Sequence, residues 1–553
     1  MSVESVTGAL RGPADVLERD SRSRHGGSRA ARVRAHVLTD QRIAAGALIV
    51  IVLCAAVVVL AAADRPSVLS ATTTAHYFPH WMAGPFGGMW TWVTRDSKLL
   101  RDLFTGALVV MYACYLASLR YAPRAPARWT IAAILAVHVI LFLSPPLALT
   151  DVFNYVNYGR MEVVHHLNPY TTVPILEPHN DPAFSLSNWH QLLSPYGPLF
   201  TLITFIVVPL GLAGSFWALK AILAIASLSL IFVVWKCAHL LAERAPEGSR
   251  LRCSPVAAIA LVGLNPIVIM WGLGGDHNDF ITMLFVMLAF YACLRAGLMP
   301  GVVRPPETAI ADGDAGLDAD ADAGARRSAR ALVALKVGAG AALVTAVALK
   351  ASAAILIPIV LAPPLAAWVS TRSSPAGRAH RRDLLLVLAG MVLGALVWGI
   401  ASIVAFGPHL PDLATQGRLV TMESLPNLLG MALLQGGETT TLRLILSAAL
   451  VLTIAACSLL AYRRRESLTG AGWATVALLV TLSWVLPWYV LWLLPLAALA
   501  GSRRLRTVAL VLGVYFIAAW SPVSGGLLHA IGFHPEKTSL GRLHQRYVKE
   551  LLY

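Results

Sequence analysis

Apolar stretches of bilayer length recur along this chain from residue 43 to residue 552, divided by short connections, and that repetition leaves little choice of fold. A hydrocarbon core about 30 Å thick takes roughly 20 apolar residues per crossing helix. Inside it every backbone N–H and C=O must be bonded within the protein, so a spanning segment is a helix or part of a closed barrel. Runs this long and unbroken are helical. The composition agrees, with 57% hydrophobic and 13% charged residues against about 45–50% and 25% in soluble domains. The sequence predicts an all-α, polytopic transmembrane bundle of about 13 helices. One integral domain covers residues 43–535, between a disordered tail, 1–42, and a basic tail, 536–553.

Lys and Arg number 44 against 29 Asp and Glu, a net charge of +15. In a soluble chain that excess would raise nucleic acid as a partner. Here the basic residues sit in short connections, where they set orientation in the membrane, and no nucleic-acid site is implied. The Arg-rich start has neither the apolar core nor the small-residue cleavage site of a signal peptide, so the N-terminus is expected in the cytoplasm. Basic connections at 120–128, 372–382, 463–465 and 503–506 belong on the same side. The loops 64–101, 150–196, 274–279 and 407–440 then lie outside.

Three local readings complete this topology. The first apolar run after residue 197, broken by Pro209, is expected to be partial or re-entrant, while 256–271 and 280–294 are expected to cross. Residues 301–330 form a low-complexity insert. Their DADAD run, 318–322, is a solvated linker, because a calcium loop wants Gly and Glu where Ala323 and Ala329 stand. The six Cys show no metal-ligand spacing.

Ionisable groups near hydrocarbon are costly and mark function, and Asp151 leads them. It follows an apolar run directly and precedes Tyr155, Tyr158 and Arg160 at spacings that share a helical face. Such a carboxylate can take the proton of an attacking hydroxyl; it can equally be a helix N-cap. Arg160, Lys220 and Lys350 are candidates to hold a phosphate, the two Lys lying in apolar sequence where snorkelling is the alternative. Asp276, His277, Asn278 and Asp279 form a second polar knot, read as substrate-binding or as helix-end packing. His165, His166 and Tyr196 join the candidate substrate contacts. Adjacent His residues, with no HExxH, do not make a metal site, and none is expected. Trp484, Trp488, Tyr489 and Trp492 read as interface anchors able to stack on a sugar.

These residues carry a resemblance. Asp151-Val152-Phe153 with Tyr155, Gly159-Arg160, Asn168-Pro169-Tyr170, residues 194–198 (SPYGP), Asn265-Pro266 and His277-Asn278-Asp279 occur in an order similar to the integral-membrane glycosyltransferases of the C superfamily. Within it the chain resembles the polyprenyl-phosphomannose-dependent alpha-1,6-mannosyltransferases of actinobacterial lipomannan synthesis, over most of residues 43–520. The resemblance implies a multi-pass enzyme of the bacterial cytoplasmic membrane with an extracytoplasmic site and no cofactor. It implies a polyprenyl-phosphate sugar donor, a glycan or glycolipid acceptor and inversion at the anomeric carbon. Asp151 matches the expected acid beyond a helix and becomes the base. The first outer loop departs from the superfamily, offering only Asp64 and Asp96, far apart. A transporter or flippase of a lipid-linked or small polar solute is the rival reading; it would want ionisable groups deep in the bundle and broken helices in matching halves.

Overall fold

The computed structural model describes residues 13–64, 80–82, 84–89, 96–147, 151–244, 254–299 and 319–552, and every regular element among them is helical. Trp90, Trp92 and the acidic start of the 301–330 insert lie outside the described residues. Helix α1 (Pro13–Asp64) pairs with α2 (Ser97–Tyr121), and α3 (Ala127–Phe142) packs beside them. A shorter helix, α4 (Asp151–Val163), leads into α5 (Pro198–Val207) and the long α6 (Gly211–Arg244). Next come α7 (Pro255–Gly263), α8 (Asp279–Arg295), α9 (Ala319–Leu349), α10 (Ile357–Thr371) and α11 (Pro375–Phe406). The C-terminal third holds α12 (Leu425–Ala432), α13 (Thr440–Arg464), α14 (Ser467–Thr481), α15 (Leu494–Leu499), α16 (Arg503–Trp520), α17 (Ser524–Ala530) and α18 (Ser539–Leu552).

Seven described helices are long and apolar enough to cross a bilayer, or eight if α16 and α17, bent by 80°, count as one span. Further apolar segments are shorter, at Ala127–Phe142, Ser467–Thr481 and Pro487–Leu499. One continuous apolar core joins them, while Ile400, Val404, Leu444 and Leu452 point outward as lipid-facing side chains do. Where α9 crosses α11 the backbones touch. A Cβ on Gly340 would stand 2.0 Å from the Val387 oxygen, and one on Gly390 would stand 1.9 Å from the Val337 oxygen. Small residues permit that approach between membrane helices. Beside the crossing, Lys336 and Asp383 form a buried ion pair, each neutralising a charge that would otherwise be stranded.

Several expectations need correction. Within the stretch expected as a disordered tail, the backbone is helical from Pro13 onward. The expected basic tail carries α18, which docks on the bundle through Leu551, and the Gln191 N–H donates to the Leu551 carbonyl at 3.0 Å. The expected crossing 256–271 is broken at Asn265-Pro266. Pro266 has no N–H to continue a helix, and the Asn265 side chain accepts from the Ile267 and Val268 N–H groups at 3.0 and 3.3 Å, restarting the chain as a π-helix, Val268–Leu273. The run after residue 197 does break near Pro209, where a 3-10 turn, Val208–Leu210, separates α5 from α6. Residues 487–499 form a 3-10 helix, Pro487–Trp492, followed by α15, and both are buried.

Candidate active site

Two backbone devices set the site. The Leu147 N–H donates to the Gly274 carbonyl at 2.7 Å, tying the approach to α4 to the polar link 274–279. Asp151 is the first residue of α4, where the helix dipole favours a negative charge. The link itself is buried rather than a solvent loop. At Gly275 a Cβ would lie 2.3 Å from the Trp271 oxygen and 2.6 Å from His277 Nε2, so no side chain fits. Asp276 adopts φ +55°, a left-handed conformation that costs a non-glycine residue about 1–3 kcal/mol.

Each acid or base of the link meets a different partner. Lys220 Nζ lies 3.1 Å from both carboxylate oxygens of Asp276. His277 Nδ1 lies 3.4 Å from Asp151 Oδ2, and its ring stacks on Trp488 with centroids 3.5 Å apart. Asp279 Oδ1 accepts from Lys350 Nζ at 2.7 Å and from Trp492 Nε1 at 2.6 Å. That ammonium also sits 4.6 and 4.8 Å from the ring centres of Tyr489 and Trp492, a cation–π contact. Although His277 is 1% exposed, neither ring nitrogen has a hydrogen-bond partner among the described residues. Buried polar atoms are nearly always bonded, so an unbonded imidazole beside a carboxylate has its donor and acceptor free for something else.

A cavity of about 510 Å³ opens at this point. Asp151, His277, Asn278, Asp279 and Lys350 line it, with Tyr155, Tyr158 and Tyr196 alongside. Tyr155 and Tyr196 meet edge to face at 4.8 Å, and the Tyr158 hydroxyl donates to the Leu192 carbonyl at 2.7 Å. Trp189, Trp484, Trp488 and Trp492 form more of the wall, and Val548 and Leu552 of α18 contribute to it. The tryptophans and Tyr489 are therefore cavity wall, with Trp488, Tyr489 and Trp492 buried.

Arg443 also lines the cavity, and sequence reasoning missed it. It stands in the first turn of α13, donating to Glu438 at 2.9 Å and to the Gly417 carbonyl at 2.8 Å. Its signal was a lone cation at the head of an apolar run.

Four sequence candidates fall elsewhere. Arg160 grips Asp181 through Nε and Nη2 at 2.9 and 2.8 Å, and His165 binds the same carboxylate at 2.7 Å. Burial raises the Asp181 carboxyl, but Arg160, the Ala183 N–H and His165 outweigh it and hold the group below its usual range. Lys220 is buried behind the link, and His166 is exposed. None of these four lines the cavity. Asp96, an isolated acid of the first loop, caps α2 through the Lys98 and Leu99 N–H groups.

Comparison with known proteins follows the same line. The family model for the alpha-(1→6)-mannopyranosyltransferase N-terminal domain matches residues 44–372, and that for the MptB C-terminal domain matches 424–537. An alpha-(1→6)-mannopyranosyltransferase of Mycobacterium tuberculosis is 28% identical over 70% of this chain and 68% of its own. A second from that organism, alpha-(1→6)-mannopyranosyltransferase A, is 24% identical over 68% of this chain and 65% of its own. Alpha-(1→6)-mannopyranosyltransferase B of Corynebacterium glutamicum is 26% identical over 65% of this chain and 57% of its own. No solved structure gives a significant match. With more than half its length under the N-terminal model, this multi-pass membrane chain belongs to the alpha-(1→6)-mannopyranosyltransferase family.

Proposed function

We propose that the cavity transfers mannose from a polyprenyl phosphate to a hydroxyl of a glycan or glycolipid, with inversion, on the outer side of the cytoplasmic membrane. The single observation that carries this is the buried His277 imidazole, unbonded and 3.4 Å from Asp151, in a cavity that also holds Lys350. The acceptor O–H gives its proton to the Asp151 carboxylate, beside which His277 orients the hydroxyl. The acceptor oxygen bonds to the anomeric carbon as the bond from that carbon to the phosphate oxygen breaks. The electron pair leaves on the polyprenyl phosphate. Phosphate is a good leaving group and needs neutralisation more than protonation, so the Lys350 ammonium and the Arg443 guanidinium hold it through charge-assisted bonds. Indole and phenol rings supply faces for the sugar. Arg160 and Lys220 are not part of this grip, because neither lines the cavity.

Asp151→Asn keeps the side chain's size and removes the base, so transfer of radiolabelled mannose in membranes falls about 10²–10⁴-fold while the donor still binds. Near-normal transfer by this variant excludes the mechanism. A transporter would instead move solute into vesicles with no new glycosidic bond.

A further inference from the structure

The Lys220–Asp276 pair stands behind the catalytic groups, outside the cavity lining. Lys220 is 2% exposed and Asp276 is 3% exposed. A buried ion pair is a weak source of stability, since apolar side chains of similar volume often serve as well or better. This one joins the third turn of α6 to the residue immediately before His277, and that residue is the one non-glycine of the link with positive φ. The His277 backbone N–H donates to the Gly272 carbonyl at 3.2 Å. Its ring has a Trp488 face on which to slide but no hydrogen bond of its own to fix it. The 3.4 Å approach to Asp151 is therefore set by where the backbone puts the ring.

We infer that Lys220 is a positioning residue. From the third turn of α6 its ammonium holds both oxygens of Asp276, keeps that residue in the left-handed conformation, and so fixes the His277 imidazole against Asp151. This deepens the mannosyl-transfer reading and rests on it. Without the pair the turn relaxes, His277 retreats from the carboxylate, and the hydroxyl loses its orientation. The Lys350 and Arg443 side of the cavity is untouched.

The test is the double variant Lys220→Met with Asp276→Asn, which strands no charge and keeps a residue type tolerant of positive φ. It is expected to fold with an unfolding midpoint close to that of the parent, to keep KM for the polyprenyl-phosphomannose donor, and to lose about a hundredfold in kcat, as small misplacements do. A folded double variant with kcat within about twofold of the parent overturns the inference. Should the double variant fail to fold, Lys220→Arg decides. It retains the charge, but its planar fork cannot occupy the ammonium's place, so reduced kcat at unchanged KM supports the assignment and parental kcat overturns it. Asp151→Asn, assayed in parallel, separates the two levels: if it too keeps its rate, the site reading has failed and not merely the positioning role.

Discussion

Lys350 shows what one residue in an apolar sequence can be asked to do. Its ammonium is 2.7 Å from Asp279 and faces two aromatic rings, so it is held in place before any ligand arrives. Hydrogen bonds to charged groups contribute about 1.5–3 kcal/mol. Lys350→Gln should therefore raise donor KM by about 10–100-fold, with a smaller change in kcat, in assays over a range of donor concentrations. A second residue-scale effect depends on pH. Burial, with a lesser push from Asp181 and against a bond from Asn157, moves the Glu177 carboxyl from 4.5 up to about 7. A carboxyl raised in the folded state contributes stability below its unfolded pKa and loses it as pH climbs through the folded one. Stability should fall between about pH 4.5 and 7. A neutral Glu177 also brings a donor to a place where Asn157 Oδ1 lacks a partner among the described residues. Glu177→Gln should flatten the pH dependence of the unfolding midpoint and raise it by roughly a few degrees at pH 8; unchanged pH dependence would show that another group is responsible. Asp151, Tyr155, His277 and Lys350 were legible because ionisable or aromatic groups at the ends of apolar runs have few structural uses. The partners of Arg160 and Lys220 were not. Asp181 lies in a distant part of the loop and Asp276 on another helix connection, and sequence spacing does not say which acid a cation will meet.

At the scale of elements, long apolar helices could be read and short broken ones could not. Asn265-Pro266 was visible as a pair, yet the restart as a π-helix follows from the Asn265 side chain bonding to the N–H groups beyond the proline. Helix α18 carried a clearer signal that was read only as charge. Leu540, His544, Tyr547, Val548 and Leu551 recur at helical spacing, while Arg542, Arg546 and Lys549 face outward. The inner face packs with Leu192, Leu419, Trp189 and Trp484, so α18 helps to close the wall of the cavity. Removing a buried leucine costs about 2–5 kcal/mol, and inserting a charge costs more. Leu551→Asp should detach the helix, expose it to added protease, and reduce transfer while leaving the bundle's own unfolding midpoint near the parental value. Full transfer with a protease-sensitive α18 would show that the helix is not needed to shape the site.

The whole molecule has a polarity that follows from its helix ends. Helix α8 starts at Asp279 and finishes at Arg295, α10 starts seven residues beyond Lys350 and finishes beside Arg372, and α13 runs from the turn of Arg443 to Arg464. In the other direction, α14 ends at Thr481 and α16 at Trp520, both in the cavity wall, and α16 begins with Arg503 and Arg504. The cavity thus occupies the end of the bundle opposite these arginines. By the positive-inside rule those arginines are expected in the cytoplasm, and this supports our proposal that the cavity, and with it mannosyl transfer, lies outside. That orientation is open to a direct test. Ser352 lines the cavity, and Arg378 is exposed in the first turns of α11. In intact cells a membrane-impermeant thiol reagent should label Ser352→Cys promptly, and donor lipid should slow the labelling. Arg378→Cys should react only after the membrane is opened. The six native thiols set the background, measured on the parent chain. Labelling of Arg378→Cys alone in intact cells would turn the bundle over and require a donor presented from the cytoplasm.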